Sequence, residues 1–345
     1  MTPQLTIAHV MLARGYGGIE AAYLRYTEAL QVLGYQVICI THPDAAVIDK
    51  LPHGAVWQPL AQMGQWDVGA MWRARKHLRA KDCSLVITHG NRASRIMRIA
   101  SWGICKQMVV LHRSRMRGLW LYNRIITVSE RLRQQVIASG IRAERVIHIP
   151  NFLTQPSLQM SQSSRSDLAI PVIGFLGRFV PEKGVDLMIE ALRILKEQGI
   201  VFKAIIGGDG AQRSTIQTLI AARGLSAQVV CIGWIDNADA FYAQIDVLCV
   251  PSRSESFGFI VLEAWRAGVP VVATRTAGPS ALIEDGVSGL LTEIDAESLA
   301  DALGRALADK DWQVNCAAAA RVALEPYMMQ SILPLLRSSV EEMLI

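Results

Sequence analysis

No run of eighteen consecutive apolar residues occurs in the 345 residues, although 51% of them are hydrophobic. A membrane-crossing helix needs about that many, so the apolar content is expected to fill the cores of two domains of ordinary size. The first residues lack the basic-then-apolar order of a secretory signal, and the protein is expected to stay in the cytosol. Cysteine is sparse: Cys39, Cys83, Cys105, Cys231, Cys249 and Cys316 show neither CxxC nor any other ligand spacing. That excludes a disulfide framework and a zinc site; Cys39, Cys231 and Cys249 fall in apolar runs and read as small buried thiols. No metal is expected, and no basic stretch interleaved with aromatics predicts nucleic acid as a partner.

Acidic residues are scarce in one half only. Residues 1–150 carry 20 Lys+Arg against 8 Asp+Glu, whereas 151–345 carry 15 against 22, and all seven histidines precede residue 150. A basic half suits phosphate, nucleic acid, an anionic membrane surface or plain solvation. Two stretches sharpen the membrane reading. Met71 to Lys81 and Arg92 to Lys106 combine basic residues at helical spacing with Trp72 and Trp102, as an interfacial surface would, although a helix packed on a sheet has the same pattern.

What is present is alternation. Leu5 to Ala13 is an apolar run that ends in Arg14-Gly15-Tyr16-Gly17-Gly18 and passes into a helical pattern from Ile19 to Leu33. Strand and helix patterns then succeed each other as far as Ile149, with helices expected over Trp66–Lys81 and Asn91–Cys105. Residues 153–169, rich in Ser and Gln, read as a linker between 1–152 and 170–325. A second alternating series begins at Pro171, with strands expected over Val172–Leu176 and Val271–Thr274 among others, and 326–345 reads as a terminal helical segment. Two tandem Rossmann-like domains follow, with the cleft between them as the default ligand site.

The chemistry concentrates at Ser252 to Gly268, SRSESFGFIVLEAWRAG. The strand-like run Val247 to Pro251 precedes it, and the apolar spacing predicts a helix from about Ser256. Amides at Phe257 and Gly258 would then face an anion at the helix start. Glu255 and Glu263 bracket that place, with Glu263 roughly 10 Å further along the helical rise. Arg178 and Lys183 emerge from another strand end in Gly177-Arg178-Phe179-Val180-Pro181-Glu182-Lys183-Gly184, where cations can neutralise a diphosphate or simply be solvated. Gly15 to Gly18 fails the dinucleotide fingerprint, since Glu20 stands at the third glycine, but suits a phosphate-approaching loop; Gly207-Gly208-Asp209-Gly210 reads as a turn. His89 and His112 sit at expected strand ends, and Arg113, Arg115 and Arg117 would hold an imidazole neutral.

Taken in order, the Gly15–Gly18 loop, GRFVPEKG, ESFGFIVLE and GPSALIEDGVSGLL resemble the family-four group of retaining glycosyltransferases, over nearly the whole chain and most specifically over 172–291. The resemblance implies an α/β GT-B fold, with two Rossmann-like domains facing across a cleft and a C-terminal helix returning to the first. It implies that Arg178 and Lys183 bind the diphosphate of a nucleotide sugar, UDP-linked, and that Glu263 holds the ribose. Glu255 would face the sugar, with Phe257 and Gly258 near its hydroxyls or the distal phosphate. Gly17 and Gly18 would close on the diphosphate, and His112 would stand near the reacting sugar. No cofactor is implied beyond that donor substrate. The expected activity is hexose transfer to a saccharide or lipid-linked acceptor in envelope glycan synthesis, at the inner face of the plasma membrane. The alternatives are a nucleotide-sugar 2-epimerase or a non-catalytic nucleotide-sugar-binding protein. Ala281, where the family often has Glu, and Arg113 after the histidine are departures from the pattern.

Overall fold

A computed structural model describes residues 5–113, 118–154, 170–235 and 237–344. The chain divides into two compact units, Met1–Gln155 with Tyr327–Ile345, and Pro156–Pro326.

In the first unit the order is β1 (Thr6–Met11), α1 (Gly18–Val32), β2 (Gln36–Thr41), β3 (Val56–Pro59), α2 (Val68–Ala80), β4 (Cys83–His89), α3 (Asn91–Ala100), β5 (Lys106–Leu111), β6 (Arg124–Thr127), α4 (Glu130–Ala138) and β7 (Val146–His148). The strands form one parallel sheet in the order β3-β2-β1-β4-β5-β6-β7. Such strands are covered on both faces, which is why they read as unbroken apolar runs rather than alternating ones. Ile7, Met11, Ile87 and Met108 pack with Tyr23 and Tyr26 of α1 on one face. Ala8, Val10 and Val86 pack with Ala74 of α2 and Ile96 of α3 on the other.

The second unit runs β8 (Val172–Leu176), α5 (Val185–Glu197), β9 (Lys203–Gly207), α6 (Arg213–Ala222), β10 (Val229–Gly233), α7 (Ala238–Tyr242), β11 (Val247–Val250), α8 (Phe259–Arg266), β12 (Val271–Thr274), α9 (Pro279–Leu282), β13 (Leu290–Thr292), α10 (Ala296–Ala308) and α11 (Lys310–Leu324). Its parallel sheet has the order β10-β9-β8-β11-β12-β13. Ile173, Phe175 and Val247 pack with Met188 and Leu192 of α5 and with Leu299 and Leu303 of α10. The last helix, α12 (Met329–Leu344), returns to the first unit and adds Ile332, Leu336 and Val340 to its core.

Each sheet reverses its winding once, between β1 and β4 and between β8 and β11. At such a point the loops leaving two neighbouring strands part to opposite faces and open a crevice beyond the carboxyl ends. Arg178 and Lys183 follow β8, Glu255 follows β11, the glycine loop follows β1, and His89 ends β4.

Several expectations are corrected. The helix expected from Ser256 begins at Phe259, because Gly258 takes a left-handed φ of 90° and caps it. The helix expected over Asn91–Cys105 ends at Ala100, so Trp102 lies in the following turn. β3 and α7 were not anticipated: β3 is an edge strand with Trp57 exposed, and α7 is five residues started by the Asn237 side chain. The expected linker, 153–169, lies outside the described residues from 155 onward. Its first residue, Leu153, instead pairs with the segment entering α12, donating to the Tyr327 carbonyl at 2.9 Å.

Candidate functional site

The second unit gathers three strand-end loops at its crevice, those after β8, β11 and β12. The loop after β8 turns through Pro181–Lys183 to Gly184, whose φ is 65°. A Cβ there would lie 2.0 Å from the Pro251 carbonyl oxygen, so only glycine lets this loop rest on the one after β11. The contact brings the ammonium of Lys183 onto the carboxylate of Glu255, which accepts its hydrogen bond. Both side chains are largely covered, at 26% and 16% exposure, which makes the pair stronger than one in open solvent. Arg178, on the same loop, is exposed.

The loop after β11 is held from two sides. Arg253 donates both arms of its guanidinium to Asp186 at the start of α5, each at 2.7 Å, and its backbone N–H donates to the Glu182 carbonyl. Arg253 draws the Asp186 carboxyl below its usual range. On the other side the Gly278 N–H donates to the Glu255 carbonyl at 2.8 Å. A Cβ on Gly278 would sit 2.4 Å from the Phe257 carbonyl oxygen, so the GPS segment ahead of α9 lies directly against ESFG. Neither Arg253–Asp186 nor this use of Gly278 was read from the sequence. The local spacing around Arg253 carries no signal, because its partner lies 67 residues away.

Glu263 is the fifth residue of α8. The buried Tyr242 hydroxyl donates to its Oε2 at 3.4 Å, and the Tyr242 phenol is pushed well up by burial and then by the Glu263 charge. With the helix starting at Phe259, Glu263 is only about 6 Å along the axis from that start, and the loop supplies the rest of its separation from Glu255. The amides opening α8 belong to Gly258, Phe259 and Ile260, so Phe257 drops out of that set; its side chain is buried.

In the first unit Gly17 precedes α1 with extended backbone, and a Cβ on it would meet only the Glu20 carboxylate, at 3.4 Å. A Cβ on Gly15 would meet nothing within 4 Å. The fold does not demand glycine at either place, and the space beside α1 stays open to an approaching group.

His112 follows β5 and joins a buried chain of imidazoles. His9 Nδ1 lies 2.8 Å from Thr27 Oγ1, His9 Nε2 lies 2.9 Å from His89 Nε2, and His89 Nδ1 lies 3.1 Å from His112 Nε2. Burial lowers all three, His9 to about 3 and His112 to about 4, and His89 well below the ordinary range. At His112 burial is the larger cause, and the Arg113 charge adds to it in the expected direction. Arg115 and Arg117 lie outside the described residues. His9 was missed in the sequence because it stands inside the apolar run TIAHVM; a lone polar residue in a strand buried on both faces was the available signal.

Among the described residues no group of three or more His, Cys, Asp or Glu is placed to hold a metal ion, and no helix is long and apolar enough to cross a membrane. All six cysteines are free thiols, four of them buried.

Residues 159–323 match the family model described as glycosyl transferases group 1, and residues 16–154 match that of glycosyltransferase family 4. A lipopolysaccharide core biosynthesis glycosyltransferase, LpsE of Rhizobium meliloti, is 37% identical over 43% of this chain and 42% of its own length. The chain spans less than half the length of the curated relatives it matches. Among solved structures, a glycosyltransferase of Rickettsia africae superposes with a TM-score of 0.86 at 19% identity, covering 99% of both chains. HepE of Anabaena, in complex with UDP and glucose, gives 0.85 at 21% identity over 98% of this chain and 100% of that one.

Proposed function

Because the chain belongs to the group 1 glycosyltransferases of GT-B fold, we propose that it moves a hexose from a UDP-linked sugar to a saccharide or lipid-linked acceptor with retention of anomeric configuration. The observation that carries this reading is the Lys183–Glu255 contact at the crevice of the second sheet, made by the loop that also carries Arg178. It supports a reading in which Arg178 and Lys183 would neutralise a departing diphosphate and Glu255 would grip a sugar's hydroxyls.

In the reaction the bond from C1 to the diphosphate oxygen breaks as the acceptor oxygen bonds C1 on the same face. The acceptor's proton passes to the departing phosphate oxygen. Charge grows on the diphosphate, and Arg178 and Lys183 stabilise it without a bound metal or other cofactor. Glu263, steadied by Tyr242, takes the ribose hydroxyls, and Glu255 with the Gly258 backbone at the start of α8 orients the sugar. Gly17 and Gly18 admit the diphosphate beside α1, and His112 stands by the reacting sugar.

The envelope setting rests on the Rhizobium relative, a lipopolysaccharide core enzyme by name, and on the basic first unit. Trp72 and Trp102 are 65% and 75% exposed. Arg75 of α2 donates to the Ala100 and Trp102 carbonyls, linking the elements that carry both indoles. Lys76 lies 5.9 Å from the Trp72 ring. Exposed indoles among cations suit an anionic lipid surface at the cytoplasmic face.

The test is incubation with a panel of nucleotide sugars, with and without membrane extract. Release of UDP with sugar incorporated into the extract is expected. Conversion of the nucleotide sugar alone would replace transfer with epimerisation, and binding without turnover would replace it with a non-catalytic role.

A further inference from the structure

The three histidines admit a count of protons. Thr27 Oγ1, His9, His89 and His112 are joined by three close contacts, and each contact needs one proton. A neutral imidazole carries a single N–H. Thr27 lies on α1, and its hydroxyl is 3.0 Å from the Tyr23 carbonyl four residues back, the bond that helical threonines commonly make. With the hydroxyl proton committed there, Thr27 can only accept from His9.

The rest follows without choice. His9 donates from Nδ1, so its Nε2 is a lone pair and His89 must donate from Nε2. The Nδ1 of His89 is then a lone pair, and His112 must donate from Nε2. The proton on His112 is thereby set by a threonine three links away.

The enclosure keeps this arrangement in place. Tyr23 stacks on the His9 ring with centroids 4.2 Å apart, and Tyr26 meets His89 edge-on at 5.3 Å while also packing on Phe152. His9 and His89 are 0% and 1% exposed, so water cannot supply or remove a proton at the inner links. Strand order explains how residues so far apart in sequence meet: β1, β4 and β5 are neighbours, and their carboxyl-terminal ends lie at one edge.

We propose that His9 and His89 are positioning residues that fix His112 as its Nε2–H tautomer and so leave Nδ1 as a lone pair that accepts a hydrogen bond from a sugar hydroxyl. The inference rests on the reading of His112 as a group beside the reacting sugar. Its tautomer, however, is a property of the chain alone.

The experiment is long-range proton–nitrogen correlation on the full chain labelled with 15N-histidine at pH 7, the His112 signals being identified by their loss in His112→Gln. A protonated Nε2 with a bare Nδ1 is expected. A proton on Nδ1, or an imidazolium, overturns the proposal whether or not the protein transfers sugar. Two variants then test the consequence. His89→Gln keeps an acceptor for His112 and a donor for His9, and should preserve both the tautomer and turnover. His89→Leu removes both, and should give mixed His112 tautomers with kcat lowered about tenfold. Mixed tautomers with unchanged kcat would overturn the positioning role. Should His89→Leu not fold, the wild-type spectrum and His89→Gln decide: loss of the tautomer in the Gln variant counts against the proposal.

Discussion

The ammonium of Lys183 touches the carboxylate of Glu255, although 72 residues of chain separate them. Two loops that leave neighbouring strands at the reversal of the second sheet are thereby tied at their tips. A diphosphate arriving beside Lys183 would compete with Glu255 for the same ammonium, and a sugar hydroxyl donating to Glu255 would ease that competition. Binding of the charged and the sugar part of a donor is then coupled through one pair.

Arg178→Ala and Lys183→Ala should each lower kcat by about a hundredfold or more, as loss of a group opposing developing charge does. Their unfolding free energies should move by only about 1 kcal/mol, since Arg178 is exposed and the Lys183 pair retains some solvent. Steady-state kinetics beside urea titration separates the two effects. Unchanged transfer in both variants would remove the assignment.

Glu263→Gln should weaken donor binding roughly tenfold while leaving the fold intact, because a charged acceptor for hydroxyls becomes a neutral one. Tyr242→Phe, which takes away the hydroxyl shared between the Glu263 carboxylate and the Ile260 carbonyl, should weaken it less. Calorimetry with UDP reads both. A Tyr242→Phe effect larger than that of Glu263→Gln would contradict the order of roles.

Gly184→Ala and Gly278→Ala should each destabilise the second unit by about 2–4 kcal/mol, since a methyl at either place meets backbone atoms that cannot swing aside. Gly15→Ala, with nothing within 4 Å of the new Cβ, should alter stability little. Equal midpoints in all three would show that the loops yield more easily than their spacing implies.

Stability should rise with pH between about 5 and 6.5. An unfolded histidine titrates near 6.5, while folded His9 does so at about 3 and His112 at about 4. In that window the unfolded chain binds protons that the folded chain refuses, and each such histidine costs about 1.4 kcal/mol per unit of acidification. Urea midpoints at pH 7, 6 and 5 measure the slope, and His9→Gln should flatten it. A slope indifferent to that substitution would mean that His9 accepts its proton while folded.

Trp72→Ala together with Trp102→Ala should reduce binding to vesicles containing anionic lipid, and raised salt should reduce binding of the wild type. Co-sedimentation with anionic and neutral vesicles checks this. Equal binding to both kinds would argue against an electrostatic surface.

Much of the fold was legible because parallel strands covered on both faces leave continuous apolar runs: Val172 to Leu176 and Val271 to Thr274 were bounded from sequence as they stand in the structure. β3 was hidden by the opposite circumstance, an exposed edge strand ending in Pro59. At Ser252 to Gly268 the strand and helix were legible but their junction was not. Ser256 is a good capping residue by type, yet the left-handed Gly258 starts the helix later, under a backbone contact from Gly278 that no local pattern records. Arg178, Lys183, Glu255 and Glu263 could be named as candidates from their places after strands. That Lys183 holds Glu255, or that His112 is the end of a chain begun at Thr27, needed the strand order that brings distant loops together.

The return of α12 makes the second unit an insertion within the first, entered and left where Leu153 and Met329 exchange backbone hydrogen bonds with the opposite segment. On the ribosome the second unit therefore emerges whole before the first can close, since Ile332, Leu336 and Val340 are made after it. The amino-terminal unit, though synthesised first, waits with an open core for α12, and chains broken after Pro326 would forfeit the first unit while keeping the whole of the second.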